Sequence, residues 1–188
     1  MNEEQFKRSV ALLSNFKPRA EITLEEIPAP QKLAKFAYAI SADVSNGLIG
    51  DAEAELANGR FVILHEPGGQ DTWDGEFRCV TFLSADLETN EAEDPSLPEH
   101  GWTWLLKALV DNGCQIAAPS GTVTRSISHS FGKLSTASDG GEIEIRASWT
   151  AIIKSGEELV AHLEAWCNLL AEISYLMPVP DGVASFRR

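Results

Sequence analysis

Cysteine is scarce in this chain: there are only three, Cys79, Cys114 and Cys167, odd in number and far apart. That spacing excludes a disulfide framework and a C-x-x-C metal knuckle, and it suits reduced thiols packed as small hydrophobes. Basic residues are also short, 15 against 28 acids for a formal charge of -13. Affinity for nucleic acid comes mainly from Lys and Arg neutralising phosphates, so direct binding to DNA or RNA is not expected. No apolar run approaches the roughly 18 residues needed to cross a bilayer, which points to a soluble protein with no membrane contact. The start, "MNEEQFKRSV", carries two glutamates and no apolar core behind a basic flank, so it does not read as a secretory signal and a cytoplasmic location is expected.

Chemical motifs are missing as well. The stretch "APSGTVTRSISHSFG", from Ala118 to Gly132, looks most like a site, yet it lacks the second Gly and the Lys of a phosphate-cradling loop. It also has only one of the glycines of a nucleophile elbow. His100 and His162 stand alone on helices without a ligand at metal-binding spacing. The acidic run from Asp86 to Glu99 lacks the alternating ligands and central Gly of a calcium loop and reads as a solvated linker. No catalytic residue, metal or cofactor is predicted.

What is present is periodicity. Phe6, Val10 and Leu13 form one face of a first helix, and "EITLEEI" alternates as a short edge strand before Pro28 and Pro30. Leu33, Phe36, Ala37, Ile40 and Val44 follow at helical spacing, which predicts a helix ending near Asn46-Gly47. Asn58-Gly59 carries the signal of a tight hairpin, with a helix end as the alternative. Pro67 to Gly75 reads as a polar loop in which Asp74-Gly75 turns and Trp73 folds back on the sheet. Phe77, Cys79 and Leu83 on one side, with Val80 and Phe82 on the other, predict a central strand apolar on both faces.

Ser96 with Glu99, and Ser155 with Glu158, have capping-box spacing and predict the starts of two Trp-bearing helices. The first carries Trp102, Leu105, Leu106 and Leu109 to Asn112-Gly113, and the second buries Leu159, Leu163, Trp166, Cys167 and Leu170. Between them, Val123, Arg125, Ile127, His129 and Phe131 alternate with a row of hydroxyls. "GEIEIRASWTAII" alternates in the same way, with Ile143, Ile145, Ala147 and Trp149 on one side. Placing Val123 and Ile127 beside Ala147 and Ala151 predicts the pairs Phe131 with Ile143, Ile127 with Ala147, and Arg125 with Trp149.

The sum is a single α+β domain over residues 1–188, a mainly antiparallel sheet with helices on one face. It is built as two successive strand-strand-helix units, 19–113 and 114–176, followed by a tail at 177–188. The helix stripes of the two units do not superpose, so they share an architecture and not a duplicated sequence.

Five residues are candidate binding residues. Trp73, Asp74 and Arg78 gather near the 67–75 loop, and Arg125 and His129 lie on the expected buried side of the hydroxyl-rich strand. A bland reading of Arg125 is a strand-end side chain crossing Trp149 to a carboxylate. The missing catalytic constellation, the acidic surface and five tryptophans, with Trp102 or Trp104 as an exposed anchor, favour a non-catalytic cytosolic protein-interaction module with an unidentified protein partner. The alternative is an enzyme or small-ligand binder with a cleft between the 67–75 loop and Arg125/His129. A third possibility, mimicry of nucleic acid, requires acids concentrated on one face.

The phrases "IPAPQKLAKFAYAISADV", "NGRFVILHEPGGQDTWDGEFRCVTF", "APSGTVTRSISHSFG", "EIRASWT" and "LEAWCNLLAEISYLMPVPDGV" occur in this order. Together they resemble an actinobacterial family known only as domain of unknown function 3000, from about Pro18 to Val183. The resemblance implies a cytosolic actinobacterial protein and carries over no activity and no site residues.

Overall fold

The computed structural model describes residues 2–46, 55–134 and 140–176. In chain order its elements are α1 (Glu3–Asn15), β1 (Ile22–Glu26), β2 (Phe36–Ser45), β3 (Glu55–Gln70) and β4 (Gly75–Leu87). A short α2 (Thr89–Ala92), α3 (Leu97–Asp111), β5 (Ile116–Ser128), a 3-10 turn (Gly132–Leu134), β6 (Gly140–Ala151) and α4 (Glu158–Ile173) complete it. The six strands form one sheet in the order β1-β2-β3-β4-β6-β5, antiparallel throughout. This is the expected α+β class, with β1 at an edge and β4 in the centre.

Strand alternation separates the two faces. Ile40, Phe61, Cys79, Leu83, Ile143, Ile145 and Trp149 point to the inner side and are buried there with the apolar stripes of α3 and α4. α1 adds Phe6 and Leu13 to the same core. Two hairpins, β3–β4 and β5–β6, lie side by side through β4 and β6. Each helix serves the other unit: α3 packs over β5 and β6, whereas α4 packs over β3 and against α3.

Several expectations are corrected. The helix expected from the stripe of Leu33 to Val44 is strand β2 from Phe36. Its apolar residues satisfy both periods: Tyr38, Ile40, Ala42 and Val44 alternate inward, and a ladder on both sides, to β1 and β3, decides for the strand. Residues 47–50, including the expected stop at Gly47, lie outside the described residues. Asn58-Gly59 is not a hairpin turn but mid-strand in β3. A Cβ at Gly59 would sit 2.8 Å from Cζ2 of Trp166, so the glycine is there to let the indole approach the backbone.

The polar loop at 67–75 shortens to a turn, because β3 continues to Gln70 through a register shift after His65. The turn is made by residues 71–74, closing on Asp74 at φ 58°, whereas Gly75, expected in the turn, already pairs with Gln70 in β4; Trp73 does fold back and is buried. Neither expected capping box forms. The Ser96 hydroxyl donates to Asp94 Oδ1 at 2.6 Å instead of capping α3, and α4 starts only at Glu158, whose carboxylate accepts the Lys154 N–H. A capping box does form at α1, between Asn2 and Gln5.

The hydroxyl-rich segment is a strand, with a different register. Arg125 faces Ile143 and not Trp149, Val123 faces Ile145 and Ile127 faces Gly141. The slip is an even number of residues, so each side chain keeps its expected face. A bulge between Ala117 and Ser120, with Ala118 at φ 45°, sets the new register.

Candidate functional site

Three cross-strand rows on the outer face of the sheet make up the site. Arg60, Phe82, Arg146 and Thr122 are opposite one another on β3, β4, β6 and β5; Val62, Val80, Ser148 and Ser120 form the next row; Leu64, Arg78, Thr150 and Ala117 form the third. The first two rows line a shallow trough of about 670 Å³ with Val62, Val80 and Phe82 as its apolar floor, and the third row lies beside it. These three side chains are half-buried, while Arg60 and Arg146 at the rim are exposed. Arg146 lies 5.4 Å over the Phe82 ring and 3.0 Å from the carboxylate of Glu144.

Arg78 sets the polar end. It is 8% exposed, and its guanidinium is held by neutral acceptors. Nη1 donates to the Ala118 carbonyl at 2.9 Å and to Thr150 Oγ1 at 3.1 Å; Nη2 donates to Ser148 Oγ at 2.7 Å and to Ser120 Oγ at 3.2 Å. No carboxylate forms an ion pair with Arg78 among the described residues. Burial pulls its pKa below the usual arginine value, with smaller opposing effects from Cys79 and Asp74, but guanidinium stays charged in proteins. A buried cation usually has an anion in contact; all four hydrogen bonds of this one go to neutral oxygens.

The hydroxyl protons follow from this. Guanidinium has no acceptor, so each hydroxyl that bonds Arg78 does so through its oxygen and is left with its own O–H to donate. Thr150 gives its proton to the carbonyl of Trp73, which ties the β3–β4 turn onto the sheet. Ser120 and Ser148 are 3.4 Å apart, close enough for one to donate to the other, which leaves an O–H directed at the trough. The trough thus offers donors and positive charge beside an apolar floor.

Of the five residues singled out by sequence, Trp73, Asp74 and Arg78 come together at this turn. Arg125 and His129 do not join them. Arg125 pairs with Ile143, whereas Arg78 pairs with Thr150, seven residues along β6 and roughly 23 Å away at the usual strand rise. Arg125 Nη1 instead donates to the carbonyl of Ala92 at 2.6 Å, at the end of α2, and His129 is exposed just past the end of β5. The cleft expected between the 67–75 loop and these two residues is therefore not formed. The expected exposed indole is not found either: Trp102 and Trp104 are both half-buried against the core.

Sequence reading missed the role of Ser120, Ser148 and Thr150. The one available signal was a lone Arg, Arg78, inside an apolar strand. Two histidines lie in the interior, away from the trough. Trp149 Nε1 donates to His162 Nδ1 at 3.1 Å, and burial lowers the His162 pKa to about 4, so the ring is neutral. His65 is buried in a stack with Phe6, Phe36 and Phe77. The three cysteines are free, and burial raises the thiols of Cys114 to about 11 and Cys167 to about 12, and that of Cys79 as well. Such thiols are poor nucleophiles.

No described helix is long and apolar enough to cross a membrane. Among the described residues no group of three or more His, Cys, Asp or Glu is arranged to hold a metal. No curated protein and no solved structure matches the chain. A family model does match, over residues 2–184, so the chain belongs to the DUF3000 family, a family of proteins of unknown function.

Proposed function

We propose that the protein is a cytoplasmic, non-catalytic interaction module that receives another polypeptide on the outer face of its sheet. The carrying observation is the floor of Val62, Val80 and Phe82, three large apolar side chains side by side on the central strands and left half-exposed. Apolar side chains gathered on an exposed surface and rimmed by polar groups are characteristic of binding sites. The rim has the composition of such sites, with two arginines and hydroxyls around the floor. The three unpaired cysteines fit a reducing compartment.

The test is co-purification from the native host with the wild-type chain and with Val80→Glu, which buries a carboxylate in any complex formed there. A protein captured by the wild type and lost with the variant, while both unfold at similar temperatures, supports the reading. Identical captured sets, or no capture by the wild type, overturn it. Val80→Thr, which keeps the β-branched shape, should retain the partner in part.

A further inference from the structure

The interaction reading leaves the chemistry of the partner open, and the polar end of the trough narrows it. We propose that the trough reads carboxylates: it takes a segment of a partner protein that interleaves acidic and apolar side chains, the acids on Ser120, Ser148, Arg60 and Arg146 and the apolar groups on Val62, Val80 and Phe82. This rests on the reading of the same face as an interaction surface.

Three observations carry the inference. Arg78 is buried without an ion-pair partner among the described residues, and it occupies the oxygens of Ser120 and Ser148. With one of the two donating to the other, the pair keeps one O–H to face the trough as a donor, oriented by a charge with which no described carboxylate forms an ion pair. Arg60 has no salt bridge among the described residues, and Arg146 shares its charge only with Glu144 at an exposed position. A ligand that supplies acceptors and negative charge meets the remaining O–H and both rim guanidiniums, while a positively charged one is repelled by Arg60 and Arg146.

A second copy of this chain does not fit the same place. Stacking two such faces about a two-fold axis would bring the arginine rims of both copies together, and like charges across an interface oppose association. A phosphate polymer would bring no apolar groups to cover the floor of Val62, Val80 and Phe82.

The experiment is an NMR titration of the ¹⁵N-labelled full chain with two synthetic peptides, acetyl-Leu-Glu-Leu-Glu-Leu-amide and its glutamine counterpart. The glutamate peptide should shift the amides of Val80, Phe82, Ser120 and Ser148 and bind at least about fivefold more tightly than the glutamine peptide. Arg60→Gln and Arg146→Gln, both at exposed positions, should each weaken it about two- to fivefold, the range of a solvent-exposed charge pair. Equal affinity for the two peptides, shifts confined to other surfaces, no shifts at all, or sedimentation showing that the face joins two copies would each overturn the proposal. The two readings fail separately. A native partner lost with Val80→Glu but indifferent to the glutamate peptide leaves an interaction face without carboxylate recognition. A glutamate peptide bound in the trough, with nothing captured from the native host, leaves a carboxylate site without a protein partner.

Discussion

A guanidinium buried on four neutral acceptors behaves differently from one in an ion pair, and Arg78 allows that difference to be measured. Lysine has three donors and no planar fork, so Arg78→Lys cannot reproduce two bonds from each of two nitrogens. It is expected to lose about 1–3 kcal/mol in urea unfolding, the cost of buried hydrogen-bonding groups left unmet. Gly59 is a second sharp position. Gly59→Ala would bring a methyl to 2.8 Å from the Trp166 ring and 3.1 Å from the Phe82 carbonyl, and overpacking of this kind should cost about 1–3 kcal/mol by the same assay.

His162 predicts a pH dependence. Its folded pKa of about 4 is below the ordinary value of 6.5, because burial disfavours the charged ring. The unfolded chain therefore binds the proton first as the pH falls, and stability drops between pH 6.5 and 4. The drop is on the order of 3 kcal/mol from this group alone. Unfolding free energies measured across that window should fall with acid, and His162→Gln should remove close to one proton from the slope. An unchanged slope would show that the ring titrates normally.

Secondary-structure elements repeat a single lesson: local signals announce an element, and pairing decides what it becomes. The run from Leu33 to Val44 has apolar residues at helical spacing and also alternates, and it became β2 because strands lie on both sides of it. Asn58-Gly59 has the residues of a turn, but the glycine was needed for an indole arriving from α4. By contrast, Asp74 was legible as a turn residue, since the positive φ that closes the turn of residues 71–74 calls for a residue that tolerates it. Asp74→Val should therefore destabilise the hairpin by about 1 kcal/mol or more, whereas Asp74→Gly should be tolerated, as read by thermal unfolding. Of the site residues, Trp73, Asp74 and Arg78 were found because they are neighbours in sequence. Ser120 and Ser148 were not, because they meet Arg78 only through the register of β5 and β6 and the bulge at Ala117.

At the scale of the molecule, charge and topology dominate. A net charge of -13 on 188 residues repels itself, so the native state should gain stability from screening. Raising sodium chloride from about 20 mM to about 300 mM, which shortens the screening length several-fold, is expected to raise the unfolding temperature. A fall would show that attractive surface pairs outweigh the repulsion. The hairpin–helix repeat was visible in the order of the elements. That each helix covers the partner unit's strands, α3 over β5 and β6 and α4 over β3, was not.

By itself the sequence determined the class: alternating apolar residues and helical stripes commit the chain to one antiparallel sheet with helices on one side, because burying those faces is the dominant gain. The tertiary structure decided the register, the fate of ambiguous runs and the gathering of Arg78, Ser120, Ser148 and Thr150 into one network. Those outcomes depend on contacts between residues tens of positions apart, whose strength exists only once the strands are side by side.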